Sequence, residues 1–159
     1  MASLAARAGD TDAALESIEA ALDSNPNGED WLRKAQLHLA RNERGLGITA
    51  VDEAIELDRQ SGPAWSVRAL LLKNEPGRME EALKAAVHAV ALGEPQELLK
   101  AELLESLGRT EDAHSALSEA LSKQPANAEI RAQLVLLQHQ AGNVESAFDL
   151  LAEAPAGAW

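Results

Sequence analysis

The sequence contains no cysteine and no tyrosine, and its other aromatic residues are limited to one phenylalanine and three tryptophans. Without cysteine the chain cannot form disulfides, offer a thiolate nucleophile or bind zinc through sulfur. Valine, isoleucine and threonine are sparse and nowhere alternate with polar residues over the length of a strand. A β-sheet therefore has little support, and the recurrence of alanine and leucine predicts an all-α protein.

Basic residues are also few. The chain has 14 Lys and Arg residues against 26 Asp and Glu residues, which gives a formal net charge of −12. Such a charge repels nucleic acid phosphates and anionic lipid headgroups, so we expect neither as a partner. It would help to recruit a basic peptide.

Long hydrophobic runs are absent as well. No apolar run approaches the roughly 20 residues that span a membrane, and the first ten residues become polar too soon for a signal peptide. We therefore expect no direct membrane insertion and a cytoplasmic location. A periplasmic location is the alternative if the sequence lacks its signal peptide.

Internal repetition is the strongest positive pattern. Three pairs of residues are 34 positions apart: Trp31 and Trp65, Gly108 and Gly142, and Ala113 and Ala147. In phase with them, a small residue is followed four positions later by an apolar residue, and that apolar residue is followed after three more positions by alanine. The pattern occurs at Ala14, Ile18, Ala21; Gly47, Val51, Ala54; Ala82, Ala86, Ala89; Ala113, Leu117, Ala120; and Ala147, Leu151, Ala154. Each set lines one helical face that a neighbouring helix can approach closely.

Turn signals separate these helices. A glycine precedes most of the five sets by five or six residues, in the dipeptides Gly9-Asp10, Gly77-Arg78, Gly108-Arg109 and Gly142-Asn143. Glycine at such a place ends the preceding helix in a left-handed conformation. Prolines at positions 26 and 125 break the chain before the next helix, so the pattern predicts tightly linked helix pairs.

These residues resemble the tetratricopeptide repeat (TPR) family, whose helix-turn-helix unit carries Trp, a small pair, Ala, an apolar residue, Ala and Pro at set places. The resemblance covers nearly the whole chain and implies a right-handed superhelical solenoid of antiparallel helix pairs. It implies one domain over residues 1–159, with a partial first unit at 1–28, units at 29–61, 62–94 and 95–127, and a truncated unit at 128–159. The first unit is expected to keep the end of one helix, about 2–8, and a second helix, about 11–24.

The sequence departs from the family pattern at several places. Lys34 and Arg68 stand where the family usually has Leu, Gly47 stands in place of Ala, and Arg59 in place of Pro. The turn at 74–77 is one residue longer than the family norm and the turn at 93–95 is shortened. We expect local irregularity there.

The resemblance also implies a function, because the first helices of such pairs line a concave groove that binds peptides or helices. The inward positions carried over from the family are Leu32, Gln36, Leu39, Ser66, Leu70, Lys73, Leu98, Glu102, Glu105, Ala132, Leu136 and His139. One subclass clamps a terminal carboxylate with basic residues, but the corresponding positions here hold Leu32, Gln36 and Ser66. The alternative for the leucines is that they pack within their own helix pairs.

Catalysis has little support in the sequence. The four histidines, at positions 38, 88, 114 and 139, share no three- or four-residue spacing, and we expect them to be solvated or capping residues. Glu80-Glu81 and Glu111-Asp112 follow turn glycines, where they would interact with a helix dipole. Gly45-Leu46-Gly47 lacks the residues of a phosphate-binding loop. We therefore expect a protein-binding scaffold with no metal or cofactor and no enzymatic activity.

A structural role is the alternative function. No polar capping helix is evident, and we expect a fragment of, or a module within, a larger protein, or a homo-oligomer whose ends are covered by another copy. Contacts between copies would use Phe148, Leu151 and Trp159, which would meet the helix near Leu4 and Leu15.

Overall fold

The computed structural model describes residues 2–153 of the chain, with side chains from Asp10 onward. Within that range every regular element is an α-helix, and the predicted all-α class is confirmed. The helices are α1 (Ala2–Ser24), α2 (Gly28–Ala40), α3 (Arg44–Leu57), α4 (Gly62–Leu72), α5 (Met79–Ala91), α6 (Glu97–Ser106), α7 (Thr110–Lys123), α8 (Ala128–Gln140) and α9 (Val144–Ala152).

The chain folds into two compact units, an N-terminal unit (Met1–Glu94) and a C-terminal unit (Pro95–Trp159). In the N-terminal unit α2 packs against α3 and α4 against α5, and α1 packs against α2. In the C-terminal unit α6 packs against α7 and α8 against α9. Each unit is thus built from consecutive helix pairs.

Polar caps fix where three of the first helices of these pairs begin. The side chains of Asn27, Ser61 and Asn127 accept hydrogen bonds from backbone N–H groups in the first turns of α2, α4 and α8. Each cap satisfies a donor that has no partner within the helix.

The turns inside the pairs use left-handed residues, as predicted. Gly77, Gly108 and Gly142 have φ angles of 75°, 73° and 80°. The turn between α2 and α3 has no glycine, and Asn42 takes this conformation instead, with φ 59°. Asparagine tolerates the left-handed region better than most residues do, so this turn carries no glycine signal in the sequence.

The prediction of a turn at Gly9-Asp10 is wrong, because α1 continues from Ala2 to Ser24 without a break. A helical hairpin is held mainly by packing between its two helices, and a first helix of about seven residues would contribute little packing. The residues around Gly9 are rich in alanine, the best helix former. Continuous hydrogen bonding therefore outweighs the cost of about 1 kcal/mol for one helical glycine.

Small residues set the helix spacing in the core of the N-terminal unit. The core cluster comprises Ala35, Ala50, Val51, Ala54, Ile55, Ala64, Val67 and Leu71. Gly47 is buried beside it, and a Cβ atom there would lie 2.7 Å from Cδ2 of Leu71. The departure from the family alanine at this position thus has a packing reason. The C-terminal unit has a leucine-rich core of Leu99, Leu103, Leu104, Leu117, Leu121, Ile130, Leu134 and Leu137.

The recurrent small-apolar-alanine pattern is buried in the three middle sets, which begin at Gly47, Ala82 and Ala113. The first set, in α1, is less buried, and Ala21 is exposed. In the last set Ala147 is buried and Leu151 is exposed, while Ala154 lies outside the described residues.

Candidate functional site

The first helices of neighbouring pairs lie side by side in each unit. α2 packs beside α4, and α6 beside α8, whereas α3 does not reach α5, nor α7 reach α9, in the described part of the chain. The first helices of a unit are therefore closer together than the second helices. The surface across α2 and α4, and that across α6 and α8, is the inner side of the bend within its unit.

The predicted groove residues of the N-terminal unit differ in accessibility. Gln36 is exposed and Leu70 and Lys73 are half-buried. Leu32 and Leu39 are half-buried and pack against the core cluster. Part of each of these leucine side chains therefore belongs to the core, which was the alternative to groove contact.

Ser66 is too buried to contribute to an open surface. It is 6% exposed, and its Oγ has no hydrogen-bond partner within the described residues. The prediction of an accessible Ser66 is wrong, because the close packing of α4 on its neighbours covers this short side chain.

The predicted residues of the C-terminal unit are more open. Glu102, Ala132 and His139 are exposed, and Leu136 is 47% exposed. Leu98 and Glu105 are half-buried. One carboxylate oxygen of Glu105 is covered without a hydrogen-bond partner in the described structure. Glu105 lines a polar hollow of about 360 Å³ together with Thr110, Leu137, Gln140 and Ala141.

The two cations at family leucine positions connect each first helix to the preceding second helix. Lys34 Nζ lies 2.8 Å from Glu19 Oε1 and 5.4 Å from the ring centre of Trp31. Hydrogen bonding from Lys34 lowers the pKa of Glu19 below its ordinary value. Arg68 likewise lies 2.7 Å from Asp52 and 5.9 Å from the ring centre of Trp65. Lys34 and Arg68 each cover a tryptophan, and so they have a structural role.

His38 is buried, and the prediction of a solvated or capping histidine is wrong for it. Its Nδ1 donates to Oε2 of Glu43 at 2.7 Å, so the turn after α2 supplies the polar partner that a buried imidazole needs. The hydrogen bond from His38, together with the charge of Arg41, lowers the pKa of Glu43. Arg41 also pairs with Asp12 and so links this turn to α1.

The other histidines do not converge. His88 packs against Trp65 with ring centres 4.4 Å apart, His114 pairs with Gln138, and His139 is exposed. No cluster of three metal-binding side chains occurs among the described residues. None of the helices in the same range is long and apolar enough to cross a membrane.

The paired carboxylates lie in first helical turns, as predicted: Glu80 and Glu81 in α5, and Glu111 and Asp112 in α7. Arg78 pairs with Glu81 at 2.7 Å, which lowers the pKa of Glu81. These groups stabilise helix starts.

An apolar hollow of about 210 Å³ lies between α8 and α9. It is lined by Val135, His139, Val144, Ala147, Phe148 and Leu151. Phe148 is 66% exposed and Leu151 is 42% exposed, so two of the predicted self-association residues lie on one open apolar surface. Trp159 and the side chain of Leu4 lie outside the described residues, and Leu15 is half-buried on α1.

Sequence reasoning missed Arg131, which is only 4% exposed. Its guanidinium donates to the carbonyl oxygens of Leu150 at 2.7 Å and of Pro125 at 2.8 Å. The arginine thus joins the end of α9 to the turn before α8. The sequence signal that could have indicated its burial is its position in α8, directly after Ile130 and three residues before Leu134, both of which are buried.

Two family models match the sequence, and both describe a tetratricopeptide repeat. One covers residues 1–62 and the other covers residues 104–158. No curated protein matches the chain in sequence.

Solved structures match the fold across most of the chain. The crystal structure of MamA matches with a TM-score of 0.81 and 19% identity, covering 93% of this chain and 88% of MamA. YrrB, described as a TPR protein with an unusual peptide-binding site, matches with a TM-score of 0.73 and 19% identity, covering 88% of this chain and 74% of YrrB. A thermophilic TPR protein of Thermus thermophilus matches with a TM-score of 0.65 and 22% identity, covering 95% of this chain and 84% of the Thermus protein. At these identities the likeness shows the fold.

Proposed function

Because the chain belongs to the tetratricopeptide repeat family, we propose that it is a non-catalytic scaffold that binds a peptide or helix of a partner protein. The observation that carries this proposal is the side-by-side placement of first helices, α2 with α4 and α6 with α8. In each unit this arrangement leaves a continuous surface on the inner side of the bend, where the family binds its ligands.

The chemistry of the two inner surfaces fits a partly apolar ligand. In the N-terminal unit Leu70 lies close to Lys73 along the chain, and Gln36 is exposed on the neighbouring helix. In the C-terminal unit Leu136 is exposed on α8, and Glu102 is exposed on the neighbouring helix α6. Leucine side chains bordered by polar groups suit an amphipathic helix or an extended peptide. The description of YrrB as having a peptide-binding site supports this class of ligand.

The ligand segment is expected to be internal to its protein. The positions that hold basic clamp residues in one TPR subclass are Leu32, Gln36 and Ser66 here, and Ser66 is buried. A terminal carboxylate would find no cation from these three positions.

The proposal is tested by capture from a lysate of the source cells on immobilised full-length protein. The test variant carries Leu70→Arg and Leu136→Arg, and the matched control carries Leu46→Arg, because Leu46 is 58% exposed on the second helix α3. Circular dichroism checks that each variant remains helical. A partner retained by wild type and control but lost by the double variant is the expected result. Equal capture by all three proteins would contradict the groove assignment.

Self-assembly is the second candidate function, and the exposure of Phe148 and Leu151 supports it. Sedimentation velocity over a wide range of protein concentration tests it. A rise in mass that Phe148→Ser abolishes would favour a self-assembling scaffold, whereas a constant monomer mass would exclude assembly through this surface.

A further inference from the structure

The α8–α9 hollow has the features of a binding surface separate from the groove. It is almost entirely apolar, and its largest side chain is Phe148, the only phenylalanine in the sequence. An aromatic residue that is 66% exposed beside an open apolar hollow leaves much apolar area in water. Such surfaces commonly mark interaction sites.

A helix covers the equivalent surface one repeat earlier in the same unit. Val144 and Phe148 follow Thr110 and His114 by 34 residues. Helix α8 packs on α7, and Thr110 and His114 line a hollow of about 100 Å³ together with Leu137, Gln138 and Ala141. His114 also pairs with Gln138 across these helices. The α9 surface is more apolar than this covered counterpart, because valine replaces threonine and phenylalanine replaces histidine. The shape that fits α9 is therefore a helix packed as α8 packs on α7.

The charge beside the hollow indicates which sign of charge the incoming helix would carry. Glu145, Asp149 and Glu153 are exposed and four residues apart, so they form one acidic stripe next to the apolar stripe of α9. None of the three forms an ion pair with a described residue. In α7, by contrast, Arg109 pairs with Asp112 and Lys123 pairs with Glu119, at 2.8 Å and 2.6 Å.

Local cations do not offset this stripe. Between residues 124 and 153 the only Lys or Arg is Arg131, and it is buried with its guanidinium on backbone carbonyls. An incoming helix would meet unopposed negative charge along one side of the hollow.

Charge makes a second copy of this chain, the self-assembly candidate above, a weaker occupant of the hollow than a basic helix. Two copies joined through their α9 helices would bring like charges together. A copy that offered α1 would present the carboxylates of Asp10, Glu16 and Asp23, whereas those of Asp12 and Glu19 already pair with Arg41 and Lys34. Arg7 is the only Lys or Arg among the first 32 residues. Like charges across an interface oppose association.

We propose that the α8–α9 hollow binds a basic amphipathic helix of a partner protein. Apolar residues at every third or fourth position of that helix cover Phe148 and Leu151, and its Lys or Arg residues face Glu145 and Asp149. This site is independent of the groove between first helices, apart from the shared residue His139 at its edge.

Two synthetic peptides serve as probes. Both are about 17 residues long, capped at both ends, with leucines along one face in helical spacing. One has lysines flanking the leucines and the other has glutamates at the same positions. Fluorescence anisotropy measures binding of each peptide to the full-length protein. The lysine peptide is expected to bind at least about tenfold more tightly, with a preference that falls as salt is added.

Matched variants locate the binding site. Phe148→Ser is expected to weaken lysine-peptide binding about tenfold or more, while Leu57→Ser, at an exposed leucine of α3, leaves it unchanged. Glu145→Lys with Asp149→Lys is expected to reverse the preference between the peptides. The control pair Glu53→Lys with Glu56→Lys, on the solvent side of α3, keeps the wild-type preference.

Several outcomes would overturn the proposal. These are equal binding of the two peptides, binding of neither, or no effect of Phe148→Ser. A dimer that Phe148→Ser dissociates would make a second copy the occupant. Binding that appears only in Trp159→Ala would make the chain's own last residues the occupant. Because the groove variant Leu70→Arg is expected to bind the lysine peptide normally, failure of one proposal does not imply failure of the other.

Discussion

Arg68 donates from Nε to Oδ1 of Asp52 across 2.7 Å while its guanidinium lies 5.9 Å from the ring centre of Trp65. Lys34 has the same relationship one repeat earlier, to Glu19 and to Trp31. A cation at this position joins a first helix to the preceding second helix and covers the tryptophan on its own helix. The loss of the family leucine thus serves helix packing.

A double-mutant cycle with Arg68→Met and Asp52→Asn is expected to give a coupling energy of about 0.3–1 kcal/mol, since Asp52 is partly exposed and solvent screens the pair. The coupling should decrease at high salt concentration. Urea denaturation measures the four free energies of unfolding. The exposed pair Glu56 and Arg59 is the control, with coupling near zero. Additive effects of Arg68→Met and Asp52→Asn would contradict the prediction.

Arg131→Ala is expected to lower the free energy of unfolding by about 2–4 kcal/mol. The substitution leaves the carbonyl oxygens of Leu150 and Pro125 without their donors and removes a buried side chain. Thermal and urea denaturation measure the change. Arg33→Ala is the control, and its effect should stay below about 1 kcal/mol because Arg33 is exposed. Equal effects would mean that the buried contacts of Arg131 contribute little.

Two glycines of α3 should respond to alanine in opposite directions. An added Cβ at Gly45 would meet no atom within 4 Å beyond its own stretch of helix, so Gly45→Ala is expected to stabilise the protein by about 0.5–1 kcal/mol through helix propensity. Gly47→Ala would place Cβ at 2.7 Å from Leu71, a fully buried side chain, and is expected to destabilise by about 1–3 kcal/mol.

Thermal denaturation of the two glycine variants measures the signs. Gly47→Ala with Leu71→Val tests the cause, because the shorter valine makes room for the new methyl group. Its loss of stability should be smaller than the sum of the two single losses. Stabilisation by Gly47→Ala alone would show that Leu71 moves aside freely.

The Glu43 carboxylate is expected to make stability depend on pH in the acid range. Because His38 and Arg41 lower its folded pKa, its contribution is complete above the unfolded value near 4.5 and is lost as the pH falls through the folded value. Glu43→Gln should therefore lower the free energy of unfolding at neutral pH. The difference in this free energy between Glu43→Gln and wild type should shrink as the pH falls below the pKa of an ordinary carboxyl group. Urea midpoints from neutral to acid pH measure this, with Glu53→Gln as control. A difference that stays constant with pH would contradict the assigned cause.

Much of the architecture follows from short-range features of the sequence. The period of 34 residues, set by pairs such as Trp31 and Trp65, predicted paired helices. The turn glycines predicted left-handed residues at Gly77, Gly108 and Gly142, and the structure has them. These predictions succeed because helical periodicity and backbone sterics act within a few residues.

The candidate site was harder to predict from the sequence. The sequence placed Ser66 beside Leu70 on an open surface, but the structure buries Ser66. His38 is buried because Glu43, in the following turn, supplies its partner. The sequence alone could not separate an inward leucine from a packed one, because burial depends on which neighbouring helix covers each face.

The sequence by itself thus determined the helix-pair repeat, the acidic charge and the places where small residues let helices approach. Tertiary structure alone decided that Arg131 is buried on two carbonyls and that Phe148 is exposed on an apolar hollow. The physical reason is that local preferences amount to about 1 kcal/mol or less per residue, whereas covering or exposing a side chain depends on contacts between distant residues.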